Sequence, residues 1–248
     1  MKQARNTRKS RASQGEELII KDKFLQERAA NLKPINPMTA KQRVYMDLIN
    51  TKPVVVATGY AGTAKTYLPT AMAADLLRTG KIKKIIVTRP AVSSSKSVGY
   101  FKGSEIEKMS VWLNSVIPIF NERLGPAAFE IALANKSIEF IPLEVIKGMS
   151  INDAWVLSEE SSDLTKEEVT KLVTRMGRNS KLILSGDIRQ SELAGESGLL
   201  WISDFVKRHN LSKNFGFVDF NDINDIVRSD SVREFIVALV RDEKKGIK

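Results

Sequence analysis

The chain has 248 residues, of which 42% are hydrophobic, enough for one sizeable α/β core or at most two small domains. It contains no cysteine, which excludes disulfide bonds and thiolate metal sites, and no apolar run approaches the roughly 20 residues that cross a bilayer. Its formal net charge of +10 favours polyanionic partners, of which nucleic acid is the commonest.

The N-terminus is basic but lacks the apolar stretch of a signal peptide, so we expect a soluble, cytoplasmic protein. The first 13 residues contain five basic side chains and no acid. Residues 1–33 therefore read as a basic arm that is partly disordered or helical, with the solvated tail as the alternative. A single folded domain is expected over residues 34–248.

The predicted elements of this domain alternate between helix and strand. Thr39 caps a first helix with Val44, Leu48 and Ile49 as its inner stripe, and Pro69 lies inside a second helix, residues 65–78, which it should bend. Residues 104–134 read as mostly helical, broken at Pro118 and at Gly125-Pro126. The predicted strands are residues 54–58, 84–88, 137–143, 154–157, 181–186 and 215–220. Such alternation, with continuous apolar strands, predicts a doubly wound, mostly parallel α/β sheet flanked by helices.

The loop after the first strand carries the clearest chemical signal. It fits the phosphate-binding pattern G-x-x-x-x-G-K-[ST] except at Ala64, and comprises Gly59, Tyr60, Ala61, Gly62, Thr63, Ala64, Lys65 and Thr66. The backbone N–H groups of such a loop wrap a polyphosphate, which the following helix faces with its positive end. Lys65 would reach the outer phosphates and Thr66 would ligate Mg²⁺. The alternative is a Gly/Ala-rich turn with an incidental lysine.

Paired acids follow a second strand. Glu159 and Glu160 follow Ser158 at the end of the predicted strand 154–157, where one carboxylate of a nucleotide site holds Mg²⁺ and the next orients and deprotonates the attacking water. We assign Glu159 to the metal and Glu160 to the water, with the roles exchangeable. An acid pair after a strand is common on any surface, and this one gains weight from the preceding phosphate loop.

A third strand end carries Ser185-Gly186-Asp187-Ile188-Arg189-Gln190. Because open parallel sheets bind ligands at the carboxyl ends of their strands, the three strand ends predict one shared crevice. Asp187 and Gln190 are candidates for sensing the γ-phosphate or the attacking water. The alternative is an ordinary turn.

Two arginines and one lysine complete the candidates. Arg89 opens a Ser/Lys-rich loop that reaches Lys96, and both suit contact with nucleic-acid phosphates. Arg228 lies far down the chain and could reach a neighbouring subunit's nucleotide as an arginine finger. For each arginine, a surface salt bridge is an equally good reading.

These motifs line up in order with a known family, and the chain resembles the PhoH-like ATPases, P-loop proteins related to the core of superfamily 1 helicases. The similarity spans roughly residues 36–240 and is most specific at Thr88-Arg89-Pro90-Ala91-Val92 and Thr174-Arg175-Met176-Gly177. The other matching stretches are residues 59–66, 85–87, 152–156, 179–181, 185–187, 197–199 and 225–228.

This resemblance implies one RecA-like domain that uses ATP with Mg²⁺, assembles into a ring, commonly a hexamer, and couples an ATPase to RNA or single-stranded nucleic acid, with helicase activity in some relatives. By family position Gln42 would contact adenine, Lys65 and Thr66 the phosphates and Mg²⁺, and Arg228 would be the candidate finger.

Two departures from the family pattern leave the rate of hydrolysis open. Ala64 stands where the family usually has glycine, and Glu159-Glu160-Ser161-Ser162 replaces Asp-Glu-Ala-Gln, so that Ser162 takes the place of a glutamine that couples the γ-phosphate to nucleic acid. One hypothesis is an ATPase coupled to RNA or single-stranded DNA. A second is a nucleotide-gated binding or assembly protein with little or no hydrolysis. A third, a small-molecule P-loop kinase, would need an arginine-rich lid that we do not find in the sequence.

Overall fold

The computed structural model describes residues 33–90, 114–146, 148–191, 193 and 196–245. The strands are β1 (Val54–Gly59), β2 (Lys84–Thr88), β3 (Ile138–Phe140), β4 (Ala154–Ser158), β5 (Lys181–Gly186) and β6 (Phe215–Phe220). The helices are α1 (Ala40–Thr51), α2 (Tyr67–Arg78), α3 (Ile117–Leu124), α4 (Pro126–Ala134), α5 (Leu143–Ile146), α6 (Lys166–Arg175), α7 (Gly198–Arg208) and α8 (Asp230–Lys245). Within these ranges no helix is long and apolar enough to cross a membrane.

The six strands form one sheet in the order β3-β2-β4-β5-β1-β6, and every neighbouring pair is parallel. Successive side chains of each strand point to opposite faces, so the apolar runs divide between two cores. Val55 and Ala57 pack with α1 to α4 on one face, whereas Val54 and Val56 pack with α5 to α7 on the other. The expected doubly wound, RecA-like α/β fold is confirmed.

The inner face of α1 differs from the predicted stripe. Thr39 caps the helix by accepting a hydrogen bond from the Gln42 N–H, as expected. Val44, however, is 50% exposed, and the buried residues are Gln42, Tyr45 and Ile49. The spacing of apolar residues did not predict this buried face, because the face carries a glutamine and a tyrosine. Their polar atoms find hydrogen-bond partners only in the folded chain.

Prolines account for the differences in the bounds of β3 and α3, whereas β1 and β4 each extend one residue further than predicted and α2 begins at Tyr67 instead of Lys65. The edge strand β3 stops at Phe140 instead of continuing to Leu143, since Pro142 has no N–H for the ladder and Leu143 opens α5. Pro118 lies in the first turn of α3 instead of breaking a longer helix. The predicted break at Gly125-Pro126 is confirmed, and residues 104–113 of that predicted helix lie outside the described ranges.

The entry to the phosphate loop packs directly on β6. Gly59 has a φ of +117°, and a Cβ built on it would lie 2.3 Å from the Phe220 carbonyl oxygen. Only glycine satisfies both conditions, because an L side chain would be strained by the backbone and would also push β6 away.

We expect Gly59→Ala to lower the free energy of unfolding by about 3 kcal/mol or more, since overpacking adds to backbone strain. Gly80→Ala is the matched control: its φ is +69° and nothing lies within 4 Å of a built Cβ. Its free energy of unfolding should fall only by the cost of placing alanine in the left-handed region, about 1–2 kcal/mol. Urea unfolding of the two variants measures the difference. Equal losses would contradict the close packing of the loop entry on β6.

Candidate nucleotide site

The carboxyl ends of the adjacent strands β4, β5 and β1 open into one cavity of about 680 Å³, a volume typical of small-molecule sites. Six residues of the phosphate loop line it, together with groups from the other two strand ends: Ala61, Gly62, Thr63, Ala64, Lys65 and Thr66, with Glu159, Glu160, Asp187 and Gln190. The shared crevice that the three motifs predict is therefore present. Gly59 and Tyr60 are buried behind this surface.

The Lys65 ammonium lies inside the curl of its own loop. Its Nζ donates to the carbonyl oxygens of Gly59 at 2.7 Å and Tyr60 at 2.6 Å. Burial lowers the pKa of Lys65 to about 8, with Asp187 acting in the opposite direction. An anionic phosphate would restore full charge on this ammonium, because it would supply the negative charge that the loop carbonyls provide only as partial dipoles.

A proline explains how the loop is tied to the helix and the sheet. Pro69 lies in the first turn of α2 and has no N–H, so the Lys65 carbonyl lacks its usual helical donor. The Tyr45 hydroxyl at 3.2 Å and the Ser185 hydroxyl at 3.4 Å donate to that carbonyl instead. The sequence predicts only a bend inside a longer helix; in the structure Pro69 lies in the first turn instead and frees a carbonyl that links α1, the loop and β5.

Thr66 and Glu159 meet as a metal-binding pair would. The Thr66 hydroxyl donates to Glu159 Oε2, and the other carboxylate oxygen, Oε1, is buried without a hydrogen-bond partner. Burial raises the pKa of Glu159 to about 7, and the charge of Glu160 acts in the same direction. A buried, orphaned carboxylate oxygen beside a threonine hydroxyl fits Mg²⁺, which prefers hard oxygen ligands and shares its shell with nucleotide phosphates.

Glu160 differs from its neighbour in exposure and backbone. It has a left-handed φ of 51° and its side chain is exposed, whereas Glu159 is 6% exposed. Backbone strain of this kind costs about 1–3 kcal/mol and collects at functional sites. The strained turn directs one acid inward to Thr66 and leaves the other at the cavity wall, and their roles with Mg²⁺ and water stay predictions.

Asp187 and Gln190 both line the cavity, but their surroundings differ. Asp187 is buried, and its carboxylate accepts hydrogen bonds from the Arg189 guanidinium, at 3.0 Å from Nε and 2.6 Å from Nη2. The same guanidinium lies over the Tyr60 ring at 3.7 Å from its centroid. Gln190 is exposed. Sensing roles for both residues stay predictions; the Asp187 carboxylate is occupied by Arg189, whereas the Glu160 side chain is exposed.

Arg228 lies against the phosphate loop of its own chain. The neighbouring Val227 N–H donates to the Gly62 carbonyl at 2.9 Å, and a Cβ built on Gly62 would come within 2.6 Å of the Arg228 Cγ. Arg228 lines the cavity. Its reach into a neighbouring subunit stays a prediction.

The remaining candidates lie behind or beside the cavity. Gln42 is 1% exposed and does not line it. Ala64 adopts a φ of 68°, which explains why glycine is usual at this position of the family loop. Arg89 follows β2 and does not line the cavity, although its charge acts to lower the pKa of Glu159 against the larger effect of burial. Lys96 lies outside the described residues.

Sequence reasoning missed several residues of the site. Met38, Tyr67 and Val227 line the cavity, and Tyr45 and Arg189 hold its parts in place. Arg189 belongs to the motif at the third strand end, but its pairing with Asp187 depends on the turn at residues 188–190. Met38 carries no pattern that a sequence could reveal.

The shifted pKa values of Glu159 and Lys65 predict a pH optimum for nucleotide binding. Below about 7 Glu159 is protonated and loses its charge for Mg²⁺, and above about 8 Lys65 loses its charge for phosphate. We expect the affinity for ADP with Mg²⁺ to peak between these values and to fall by up to about ten-fold per pH unit on either side. Fluorescence titration of a labelled ADP measures it. Removing Mg²⁺ should erase the acid limb only; an acid limb that persists would contradict the assignment of Glu159.

Comparison with known proteins agrees with this geometry. A family model described as PhoH-like protein matches residues 34–240. The chain is 32% identical over 223 residues to a PhoH-like protein of Mycobacterium tuberculosis (strain ATCC 25618 / H37Rv), covering 86% of this chain and 60% of that protein. It is 34% identical over 177 residues to a PhoH-like protein of Bacillus subtilis (strain 168), covering 71% and 56%. Protein PhoH of Escherichia coli (strain K12) is 31% identical over 200 residues, covering 79% and 55%. The chain thus spans little more than half the length of these curated relatives.

Proposed function

The chain belongs to the PhoH-like family of P-loop ATP-binding proteins, and from this premise we propose that it hydrolyses ATP in a cycle coupled to RNA or single-stranded DNA. The observation that carries the proposal is the convergence of Lys65, Thr66, Glu159 and Glu160 on one cavity. A phosphate-binding loop with a metal-binding pair and an exposed acid beside it supports hydrolysis of a nucleoside triphosphate.

Each of these residues has a distinct task. The loop N–H groups and Lys65 would bind the β- and γ-phosphates, and Thr66 with Glu159 would hold Mg²⁺. The bound ion would neutralise charge that develops on the phosphate oxygens. Glu160, at the cavity wall, would accept a proton from the attacking water and orient it.

Arg228 and Gln190 would act on the γ-phosphate side. Arg228 packs on Gly62 and can direct its guanidinium to a phosphate in its own subunit. Gln190 is exposed at the cavity wall and can orient water with its amide. Family resemblance also supports a ring, commonly a hexamer, in which Arg228 would lie near a subunit boundary.

Coupling to nucleic acid is supported by charge. The net charge of +10 attracts a polyanion, and Arg89, which follows β2, is with Lys96 the proposed contact with its phosphates. Steady-state ATP hydrolysis with and without single-stranded RNA tests the proposal. We expect RNA to raise turnover; turnover that never changes with RNA or single-stranded DNA would reject the coupling.

The affinity for single-stranded RNA should fall steeply with salt. If about four phosphates are contacted, raising salt from about 50 to 200 mM should weaken binding by about 50-fold, because counterion release drives association. Fluorescence anisotropy of a labelled oligonucleotide measures the slope of log affinity against log salt. A slope near zero would remove the claim that phosphates are bound.

One observation favours a nucleotide-gated binding protein as the second candidate. Ser162 is buried, and its carbonyl is occupied by the hydroxyls of Ser191 and Ser197. Ser162 does not line the cavity, so it cannot relay the γ-phosphate to nucleic acid as a glutamine would. This candidate predicts RNA affinity that changes with bound ATP while turnover stays at the background rate.

A further inference from the structure

Lys41 ties the start of α1 to the end of β6 and the segment that follows it. Its Nζ donates to the Asp219 carbonyl oxygen at 2.8 Å and to Asn221 Oδ1 at 2.9 Å, and it lies 3.1 Å from Asp225 Oδ2. Asp225 is 5% exposed, and its Oδ2 accepts no hydrogen bond within the described residues. The ammonium therefore compensates the charge of a buried carboxylate oxygen.

This lysine occupies a position that helix electrostatics disfavours. It lies in the first turn of α1, where the positive end of the helix dipole repels a cation, and that turn contains no acidic residue. Its hydrogen-bond partners are instead 178 and 180 positions further along the chain. The lysine therefore stabilises the segment that it reaches, not the helix that carries it.

The segment between β6 and α8, residues 221–229, carries Arg228 to the phosphate loop, and we call it the β6–α8 connection. Arg228 follows Asp225 by three residues. Between them, the Val227 N–H donates to the Gly62 carbonyl at 2.9 Å, and a Cβ built on Gly62 would lie 2.6 Å from the Arg228 Cγ. The connection is thus held by the lysine at Asp225 and rests on the loop at Gly62.

We propose that Lys41 is a positioning residue for Arg228: by holding Asp225 it keeps the β6–α8 connection on the phosphate loop, so that the Arg228 guanidinium reaches the γ-phosphate. Arg228 lines the nucleotide cavity and Lys41 does not, so an effect of Lys41 on the reaction must pass through the connection. The inference rests on the proposed function, because it requires ATP to be hydrolysed in this cavity with Arg228 on the γ-phosphate side. A misplacement of about 1 Å can cost about 100-fold in rate, whereas the ATP affinity, which comes from the loop and Lys65, should change little.

The hydrolysis kinetics of Lys41→Met test the proposal, because methionine keeps most of the side-chain length and removes the ammonium. With radiolabelled ATP and Mg²⁺ we expect kcat to fall by about ten-fold and KM for ATP to stay within about two-fold of wild type. Arg228→Ala should lower kcat by about 100-fold or more, and adding Lys41→Met to it should lower kcat no further. Such non-additivity identifies a residue that acts through another, whereas a purely structural loss would multiply equally in both backgrounds.

Lys52→Met is the matched control at the other end of α1. The Lys52 Nζ donates to the carbonyl oxygens of Ser212 at 2.9 Å and Lys213 at 3.1 Å, just before β6. The control therefore removes the same charge and a tie between the same two elements, but far from Arg228. Its free energy of unfolding, measured in urea, should fall as that of Lys41→Met does, while kcat stays within about two-fold of wild type.

The proposal is overturned if Lys41→Met leaves kcat unchanged, if it lowers kcat by the same factor with and without Arg228, or if Lys52→Met lowers kcat as much. If Lys41→Met does not fold, the double variant Lys41→Met/Asp225→Asn takes its place in the same comparison, because it leaves no unpaired charge buried. A wild type that hydrolyses no ATP rejects the proposed function and this inference with it. An active wild type whose kcat does not depend on Lys41 rejects the inference alone.

Discussion

Lys65→Ala is expected to weaken ATP binding by about 100-fold or more, which would place it beyond routine detection. The Lys65 Nζ lies within the loop, donating to two loop carbonyls, and we propose that it meets the outer phosphates. A charge-assisted hydrogen bond in a partly desolvated site is about twice as strong as a neutral one, and the variant loses several at once. Equilibrium titration with a fluorescent ATP analogue in the presence of Mg²⁺ measures the loss.

A charge-matched control separates this local effect from the general attraction of ATP to a basic protein. Lys83 is exposed just before β2, at the edge of the sheet opposite the phosphate loop. Lys83→Ala removes the same unit of charge and should leave the ATP affinity within about two-fold of wild type, because exposed charges at that distance are screened. If Lys65→Ala bound ATP within about five-fold of wild type, the loop would not be the phosphate site.

Glu160→Gln is expected to lower turnover by about 100-fold or more while the ATP affinity stays near the wild-type value. The amide keeps the shape and a hydrogen bond to water but cannot accept the proton, and general-base catalysis contributes about 10²–10⁴-fold. Glu160 is the best-placed base of the three candidates: Glu159 is bonded to Thr66 and Asp187 is paired with Arg189, whereas Glu160 is exposed at the cavity wall. Single-turnover hydrolysis measures the chemical step.

Two further variants make that experiment selective. Glu167→Gln removes an exposed acid in the first turn of α6 and should turn over at the wild-type rate. Asp187→Asn tests the competing assignment. An active Glu160→Gln together with an inactive Asp187→Asn would transfer the base role to Asp187 and contradict the division of roles derived from the strained turn at Glu160.

Most of the sheet could be predicted because its strands are short, continuous apolar runs bounded by turn residues. β2, β5 and β6 match their predicted bounds, and the others differ at their ends. The errors occurred where tertiary contacts override local pattern. Val44 is exposed because Tyr45 packs edge-on against Phe220 and turns the other face of α1 inward, whereas β3 ends early because Pro142 cannot donate to the ladder.

The residues of the candidate site also divide into those that the sequence identifies and those that only the fold brings together. Lys65, Thr66, Glu159 and Glu160 are identifiable from the sequence, because phosphate and Mg²⁺ demand particular groups at particular spacings along the chain. Contacts between segments far apart in sequence could not be anticipated: the Tyr45 hydroxyl on the Lys65 carbonyl, the Gln42 amide on the Thr63 carbonyl, and Arg228 on Gly62.

Local chemistry therefore established a parallel α/β domain with a phosphate loop, since apolar periodicity and loop composition are properties of neighbouring residues. Folding alone determined the surroundings of the individual site residues. It buried Glu159 and exposed Glu160, although they are adjacent and chemically identical, and it paired Asp187 with Arg189. These outcomes depend on desolvation and on distances between separate strand ends, which exist only once β4, β5 and β1 lie side by side.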